Sequence, residues 1–136
     1  MGQGGEQMIS AAEPNITNAD VSNLLDAHRG LLEAIRNALG DFHAKSLPAG
    51  KETSNVWESR ALPSLEKEQL LLDQAGQRFR QGESQPISDL AGKKLGLAKE
   101  LDNFDLSWAT AENRSAIESG IKQVVSISYK FFRAGK

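Results

Sequence analysis

The fold of this chain is decided by residues 21–42, VSNLLDAHRGLLEAIRNALGDF. Seven side chains in this stretch recur at alternating steps of four and three residues, and all but one are apolar: Val21, Leu25, His28, Leu32, Ile35, Leu39 and Phe42. Residues with this spacing lie on one stripe of an α-helix. We therefore expect a helix that runs to about Gly40 or Lys45 and buries the stripe against other helices.

Three later stretches repeat the pattern. The second stripe is Leu65, Gln69, Leu72, Gly76 and Phe79; the third is Ile87, Leu90, Lys94, Leu97, Leu101, Phe104 and Trp108; the fourth is Ile117, Ile121, Val124, Ser128 and Phe131. Short connections between successive helices favour antiparallel neighbours. The sequence therefore predicts an all-α protein, an up-down-up-down four-helix bundle.

The ends of the chain and of the first helix follow from composition. Residues 1–16 are polar and glycine-rich without a period, which predicts a disordered tail ahead of a single domain at 17–136. Thr17 or Asn18 is expected to cap the first helix, because a side-chain oxygen at that position accepts a free backbone N–H.

The first and second helices are expected to be joined by a loop at residues 46–55, followed by a short extra helical turn at 56–61. Pro63 suits the first position of the second helix, where its missing N–H is not needed. That helix is expected to end near Gly82.

The third and fourth stripes differ in phase, so we expect a break between Asp102 and Asn113, with Thr110 as the cap of the fourth helix. Residues 121–132 are rich in β-branched and aromatic side chains, a composition also typical of strands. We favour helix there because the helical stripe persists through Phe131.

Composition narrows the classes of function. The 136 residues suffice for one domain with a real core, and 39% hydrophobic with 25% charged residues is typical of a soluble protein. The absence of cysteine excludes disulfides and thiolate chemistry, and the sequence contains neither Glu-x-x-His nor Gly-x-Ser-x-Gly. We expect no enzyme activity, no cofactor and no metal site.

Neither the charge of the chain nor a targeting signal predicts a particular compartment. The net charge is −2, yet residues 121–136 carry four basic and no acidic side chains. This asymmetry is too small to predict nucleic-acid binding. The first residues lack the basic and apolar regions of a signal peptide. The expected location is the cytoplasm, or export without a cleavable signal.

Of the polar residues that interrupt the apolar stripes, we single out three as candidates: His28, Lys94 and Ser128. In an up-down bundle they fall at similar heights, which suggests a polar layer at one end of the bundle. The competing interpretation is that Lys94 extends to solvent from a helix end and Ser128 fills a small space.

The run Ala27-His28-Arg29-Gly30-Leu31-Leu32 resembles the phosphoacceptor motif of histidine-phosphotransfer domains, which are helical bundles of about this length. The resemblance implies that His28 accepts a phosphoryl group. The chain departs from the motif, since Leu31 and Leu32 stand where the family has Lys and Gly, and the stripe directs His28 inward. A core-edge histidine with a hydrogen-bond partner is the preferred interpretation.

The remaining candidates form an interaction surface, made of Leu70, Leu71, Tyr129, Lys130, Phe132 and Arg133. Leu70, Leu71 and Leu72 cannot all face one core, and aromatic side chains alternate with cations near the C-terminal end. We therefore expect a non-enzymatic protein of adaptor, accessory or secreted-effector type that binds a protein partner or itself. A peripheral association of the basic-aromatic segment with an anionic membrane is the weaker alternative.

Overall fold

The computed structural model describes residues 16–45, 51–101 and 104–134, apart from the side chains at 94–100, 132 and 134. Every regular element in this part is helical: α1 (Asn18–Lys45), α2 (Lys51–Val56), a π-helical segment (Trp57–Ala61), α3 (Leu62–Arg80), α4 (Gln85–Leu101) and α5 (Ala111–Ala134). The all-α prediction is confirmed, including helix rather than strand at 121–132. Residues 1–15 of the tail predicted at 1–16 and residues 46–50 of the predicted loop lie outside the described residues.

The helices form a square bundle in which α1 and α4 occupy diagonal corners, each packed between α3 and α5. Ion pairs show the antiparallel directions. Arg36 contacts Glu66 across α1 and α3 at 2.8 Å, and Lys130 contacts Asp20 across α5 and α1 at 2.9 Å. The Asp20 end of the bundle therefore holds the start of α1 and the end of α5.

Both predicted helix caps are present. The Thr17 hydroxyl accepts the Asp20 N–H at 3.2 Å, and the Asp20 carboxylate accepts the Thr17 N–H at 2.8 Å. This reciprocal pair satisfies two backbone donors that have no partner within the helix. At the start of α5, the Thr110 hydroxyl accepts the Asn113 N–H at 3.1 Å. Local sequence therefore determines where α1 and α5 begin.

The turn between α3 and α4 is closed by backbone hydrogen bonds from Gly82 to Phe79 at 3.0 Å and from Glu83 to Arg78 at 2.9 Å. Gly82 has a φ of +94°, a left-handed conformation that a side chain would strain. This pattern ends a helix by satisfying its last carbonyls. The predicted end near Gly82 is confirmed within two residues.

The connection predicted at 46–55 is wrong for residues 51–55, which are already helical. Pro63 does not begin a new helix, because α2, the π-helical segment and α3 follow one another without a gap. The Leu62 N–H donates to the Trp57 carbonyl, five residues back, so the turn just ahead of Pro63 is widened. In a regular helix the proline ring would press on the carbonyl of Ser59, and the wide turn relieves this clash.

Two stripes differ from their predictions in detail. Leu25 is half-buried, and its neighbour Leu24 is fully buried instead. Phe104 and Trp108 lie in the connection after α4 rather than in a helix. The indole N–H groups of Trp57 and Trp108 both donate to the Asp105 carbonyl at 3.0 Å. Helical carbonyls are already occupied, so this loop supplies the acceptor that buried indoles need.

The buried apolar side chains form two clusters. The first cluster contains Ala27, Leu31, Leu32, Ile35, Ala38, Leu39, Phe42, Trp57, Ala61, Leu65, Leu101, Trp108, Ala109, Ile117, Ile121 and Val124. The second cluster, at the Asp20 end, contains Val21, Leu24, Leu72, Ala75, Ile87, Ala91 and Phe131. Ile16, which was expected in the tail, packs against the second cluster. His28 lies between the two clusters along α1.

Candidate functional site

The polar pair between the two clusters is formed by His28 and Gln69. His28 is fully buried, and its Nδ1 lies 2.7 Å from the Gln69 Oε1. Gln69 falls between Leu65 of the first cluster and Leu72 of the second cluster, just as His28 falls between Leu31 of the first and Leu24 of the second. Two helices therefore carry a polar residue at the same height of the core.

The pair continues to the surface as a chain of hydrogen bonds. The Gln69 side-chain amide donates to the Asp73 carboxylate at 3.1 Å, and Arg29 contacts the same oxygen at 3.4 Å. The amide nitrogen of Gln69 donates to Asp73, so the Gln69 oxygen is the acceptor in the bond with His28. The His28 Nδ1 therefore carries the proton. This arrangement orients the imidazole and satisfies the buried amide.

The other two residues of the predicted layer occupy different positions. Ser128 is fully buried, but its hydroxyl has no hydrogen-bond partner among the described residues, so it is not bonded to His28. Phe131, one turn further along α5, belongs to the second cluster, and Val124, one turn earlier, belongs to the first. The Lys94 backbone lies in α4, and its side chain is outside the described residues.

Gln69 was missed as a candidate, although it occupies the second stripe in a position that leucine takes elsewhere. A polar residue in one stripe predicts a partner in the neighbouring stripe, because buried polar groups are nearly always bonded. The same argument, that a buried polar group needs a partner, applies to Glu68. One of its carboxylate oxygens is buried without a partner in the described part of the chain, although the residue as a whole is half-buried.

The predicted interaction surface divides into two. Leu70 is 64% exposed and Leu71 is half-buried, both on α3. Tyr129 is 51% exposed on α5, where Arg133 lies 5.8 Å from the centre of its ring. Because α3 and α5 stand at diagonal corners, these side chains do not form one continuous patch. The Phe132 side chain lies outside the described residues.

Lys130 belongs to the bundle more than to the α5 surface, because its ammonium group contacts Asp20. Partial burial acts to raise the pKa of Asp20, but hydrogen bonds from Lys130 and Thr17 outweigh it, so the pKa lies below its ordinary value. Lys130 thus ties the end of α5 to the start of α1.

The end of the bundle away from Asp20 carries an open cleft between α1, α2 and the loop that follows α4. His43 contacts Glu58 there at 3.1 Å. The Ser107 N–H and hydroxyl donate to the Asp105 carboxylate, which lowers the pKa of Asp105 together with the charge of Arg114. The Ser107 hydroxyl therefore acts in a loop turn, a structural role.

The described residues contain no group of three or more histidine, cysteine, aspartate or glutamate side chains arranged to hold a metal ion. Within the same part of the chain, the helices fall short of the length and apolar character needed to cross a bilayer.

Comparisons with known proteins return no matching family model, no similar curated protein and no similar solved structure.

Proposed function

We propose that this chain is a non-enzymatic protein-binding module that recognises an acidic surface of a partner protein through the outer face of α5. The observation that carries the proposal is the pair of Tyr129 and Arg133, one helical turn apart and both exposed. Tyrosine and arginine are the side chains most enriched among energetically dominant interface residues. Their contact through the ring also restrains both before a partner arrives.

Charge supports an acidic partner. Residues 121–136 contain no acidic side chain, and Lys122, two turns before Tyr129, is exposed. A patch of one sign accelerates association with a patch of the opposite sign and selects against like-charged surfaces. The adjacent Lys130 is held by Asp20 and so fixes the helix that presents the pair.

Histidine phosphotransfer, the alternative raised by the motif around His28, is not part of this proposal. A phosphoacceptor must meet its donor at the surface, whereas the His28 side chain is fully buried and its Nδ1 is bonded to Gln69. An anionic membrane shares the chemistry of an acidic protein surface, and the test below separates the two.

The test begins with affinity capture from the native lysate, using the intact chain and two variants that each carry two alanine substitutions. Tyr129→Ala/Arg133→Ala removes the α5 pair, and Leu70→Ala/Arg80→Ala removes one exposed apolar side chain and one arginine from α3. Each captured protein is then purified, and its affinity is measured by titration calorimetry at several salt concentrations. Phosphatidylserine and phosphatidylcholine vesicles are tested in parallel by sedimentation.

We expect a partner whose affinity falls roughly tenfold or more in the α5 variant, stays unchanged in the α3 variant and weakens with salt. A partner that binds both variants equally would contradict the proposal. Binding to phosphatidylserine vesicles alone, with the same loss in the α5 variant, would replace it with the membrane alternative.

A further inference from the structure

A groove between α3 and α4 is a surface feature that the proposed function does not use, and half of its lining residues are apolar. Its floor is made of Leu71, Ala75, Pro86 and Leu90, and glutamines with Arg78 form its rim. Leu71, Pro86 and Leu90 are only half-buried. The groove therefore keeps apolar surface in contact with water beside a well-packed core.

The groove and Ile16 adjoin the same cluster of buried side chains. Ala75 and Leu90, on the groove floor, belong to or pack against the second cluster, and Ile16 packs against the same cluster. Ile16 therefore lies at the end of the bundle where the groove lies.

The length of the preceding segment is sufficient to reach the groove. Ile9 lies seven residues before Ile16. Seven residues of extended chain span about 23 Å, and a helix with its side chains is roughly 10–12 Å wide. Ile9 can therefore reach past one neighbouring helix to the space between α3 and α4.

The composition of the segment matches the groove. Met8 and Ile9 are adjacent large apolar residues, and the acids Glu6 and Glu13 flank them within a stretch that has no lysine or arginine. Arg78, on the groove rim, forms no ion pair with any described residue. The apolar pair suits the floor, and the acids suit the arginine.

We propose that residues 6–13 of this chain dock in the groove between α3 and α4, with Met8 and Ile9 on the apolar floor and a flanking glutamate beside Arg78. Because the segment is tethered at Ile16, its local concentration at the groove is in the millimolar range, so weak contacts suffice. This docking does not depend on the partner proposed for α5.

The absence of native cysteine allows a direct test by disulfide trapping. Ser10→Cys, which leaves Met8 and Ile9 in place, is combined with Gln74→Cys on the groove rim, or with Gln123→Cys on α5 as the control. Both glutamines are exposed. They lie at similar heights, because Asp73 contacts Arg29 and Gly120 packs against Leu31. Intramolecular disulfide formation under mild oxidation is followed by mass spectrometry of the intact chain.

We expect the cysteine pair at positions 10 and 74 to close at least about ten times faster than the control pair. Arg78→Glu should slow that closure, and adding Glu6→Lys and Glu13→Lys should restore it. Equal closure rates for the two pairs would overturn the proposal. Disulfide-linked dimers through Gln74→Cys as the main product would also overturn it, and would assign the groove to a second copy of the chain.

Discussion

Helices α1, α3, α4 and α5 contribute side chains to both the first and the second cluster, but the contacts that hold the two clusters differ. In the first cluster, the indoles of Trp57 and Trp108 are fixed to one backbone carbonyl, and Gly120 of α5 brings its backbone against the Leu31 backbone. In the second cluster, Gly76 faces only the side-chain ends of Leu25 and Val21. The first cluster is therefore held by rigid contacts and the second by adaptable ones.

This difference predicts where substitutions should cost the bundle the least stability. Closely packed interiors resist volume changes most where the neighbouring atoms belong to rings or backbone and cannot move aside. The groove and the entry of Ile16 both adjoin the second cluster, so the adaptable half is also the half with apolar surface left to cover.

The largest expected effect comes from Trp57→Ala, which should lower the free energy of unfolding by about 3–5 kcal/mol. The variant removes a fully buried ring and one of the two hydrogen bonds to Asp105. Phe131→Ala in the second cluster should be less damaging by about 1 kcal/mol, because it removes no hydrogen bond. Urea denaturation measures both, and a larger loss for Phe131→Ala would contradict the comparison.

The boundary between the clusters is tested by His28 and Gln69. His28→Leu should destabilise the bundle by about 1–3 kcal/mol, because it deprives the Gln69 oxygen of its buried partner. Combining it with Gln69→Leu should recover most of that loss by joining the two clusters into one apolar core. A double-mutant cycle by urea denaturation gives the coupling energy between His28 and Gln69. If the His28→Leu variant were as stable as the double variant, the pair would be inessential.

Glycine substitutions compare the two clusters directly. A Cβ at Gly120 would lie 3.3 Å from the Leu31 Cα, whereas at Gly76 it would meet the ends of Leu25 and Val21 at 3.3 Å. Gly120→Ala should therefore cost about 1–3 kcal/mol. Gly76→Ala should cost less, because its neighbours are side-chain atoms only and the half-buried Leu25 can move, although the buried Val21 cannot. Thermal and urea unfolding measure both.

Gly30 supplies the matched control for these variants, because no atom lies within 4 Å of a Cβ built there. Gly30→Ala should raise stability by about 0.5–1 kcal/mol through the helix preference of alanine alone. Suppose that Gly30→Ala stabilises the protein as expected. If Gly76→Ala then costs more stability than Gly120→Ala, our account of the two clusters would be reversed.

The smallest expected effect concerns pH at the second cluster. The pKa of Asp20 is lower in the folded chain than its ordinary value of 3.8. A depressed folded pKa contributes stability above the unfolded pKa and loses it as pH falls through the folded value. Between about pH 5 and pH 3, the wild-type melting temperature should fall slightly more than that of Asp20→Asn. Identical falls would show that Asp20 contributes nothing, and Glu33→Asn serves as the exposed control.

Much of the fold could be predicted because its signals are local. The 4-3 spacing of apolar residues indicated the bundle, and Thr17, Thr110 and Gly82 marked helix ends through hydrogen bonds within a few residues. Pro63 led to a wrong prediction because proline is common at the first position of a helix. The turn before it is widened, and Trp57 in that turn packs against Phe104 and Trp108, which lie far along the chain.

The candidate site was predicted less completely. His28 was identified as an interruption of a stripe, but its partner Gln69 lies 41 residues away. The division of the interaction surface into separate faces on α3 and α5 likewise follows from their diagonal placement, which no spacing along the chain encodes.

The sequence by itself determined that this chain forms helices, where most of them begin and end, and which side chains are apolar enough to be buried, because each of these depends on neighbours within a few turns. Only the tertiary structure decided that the core divides around His28 and Gln69, that two indoles share the Asp105 carbonyl, and that Leu71 and Leu90 border one groove. These outcomes depend on which helices become neighbours and how closely their backbones approach, and that is settled by packing the whole chain at once.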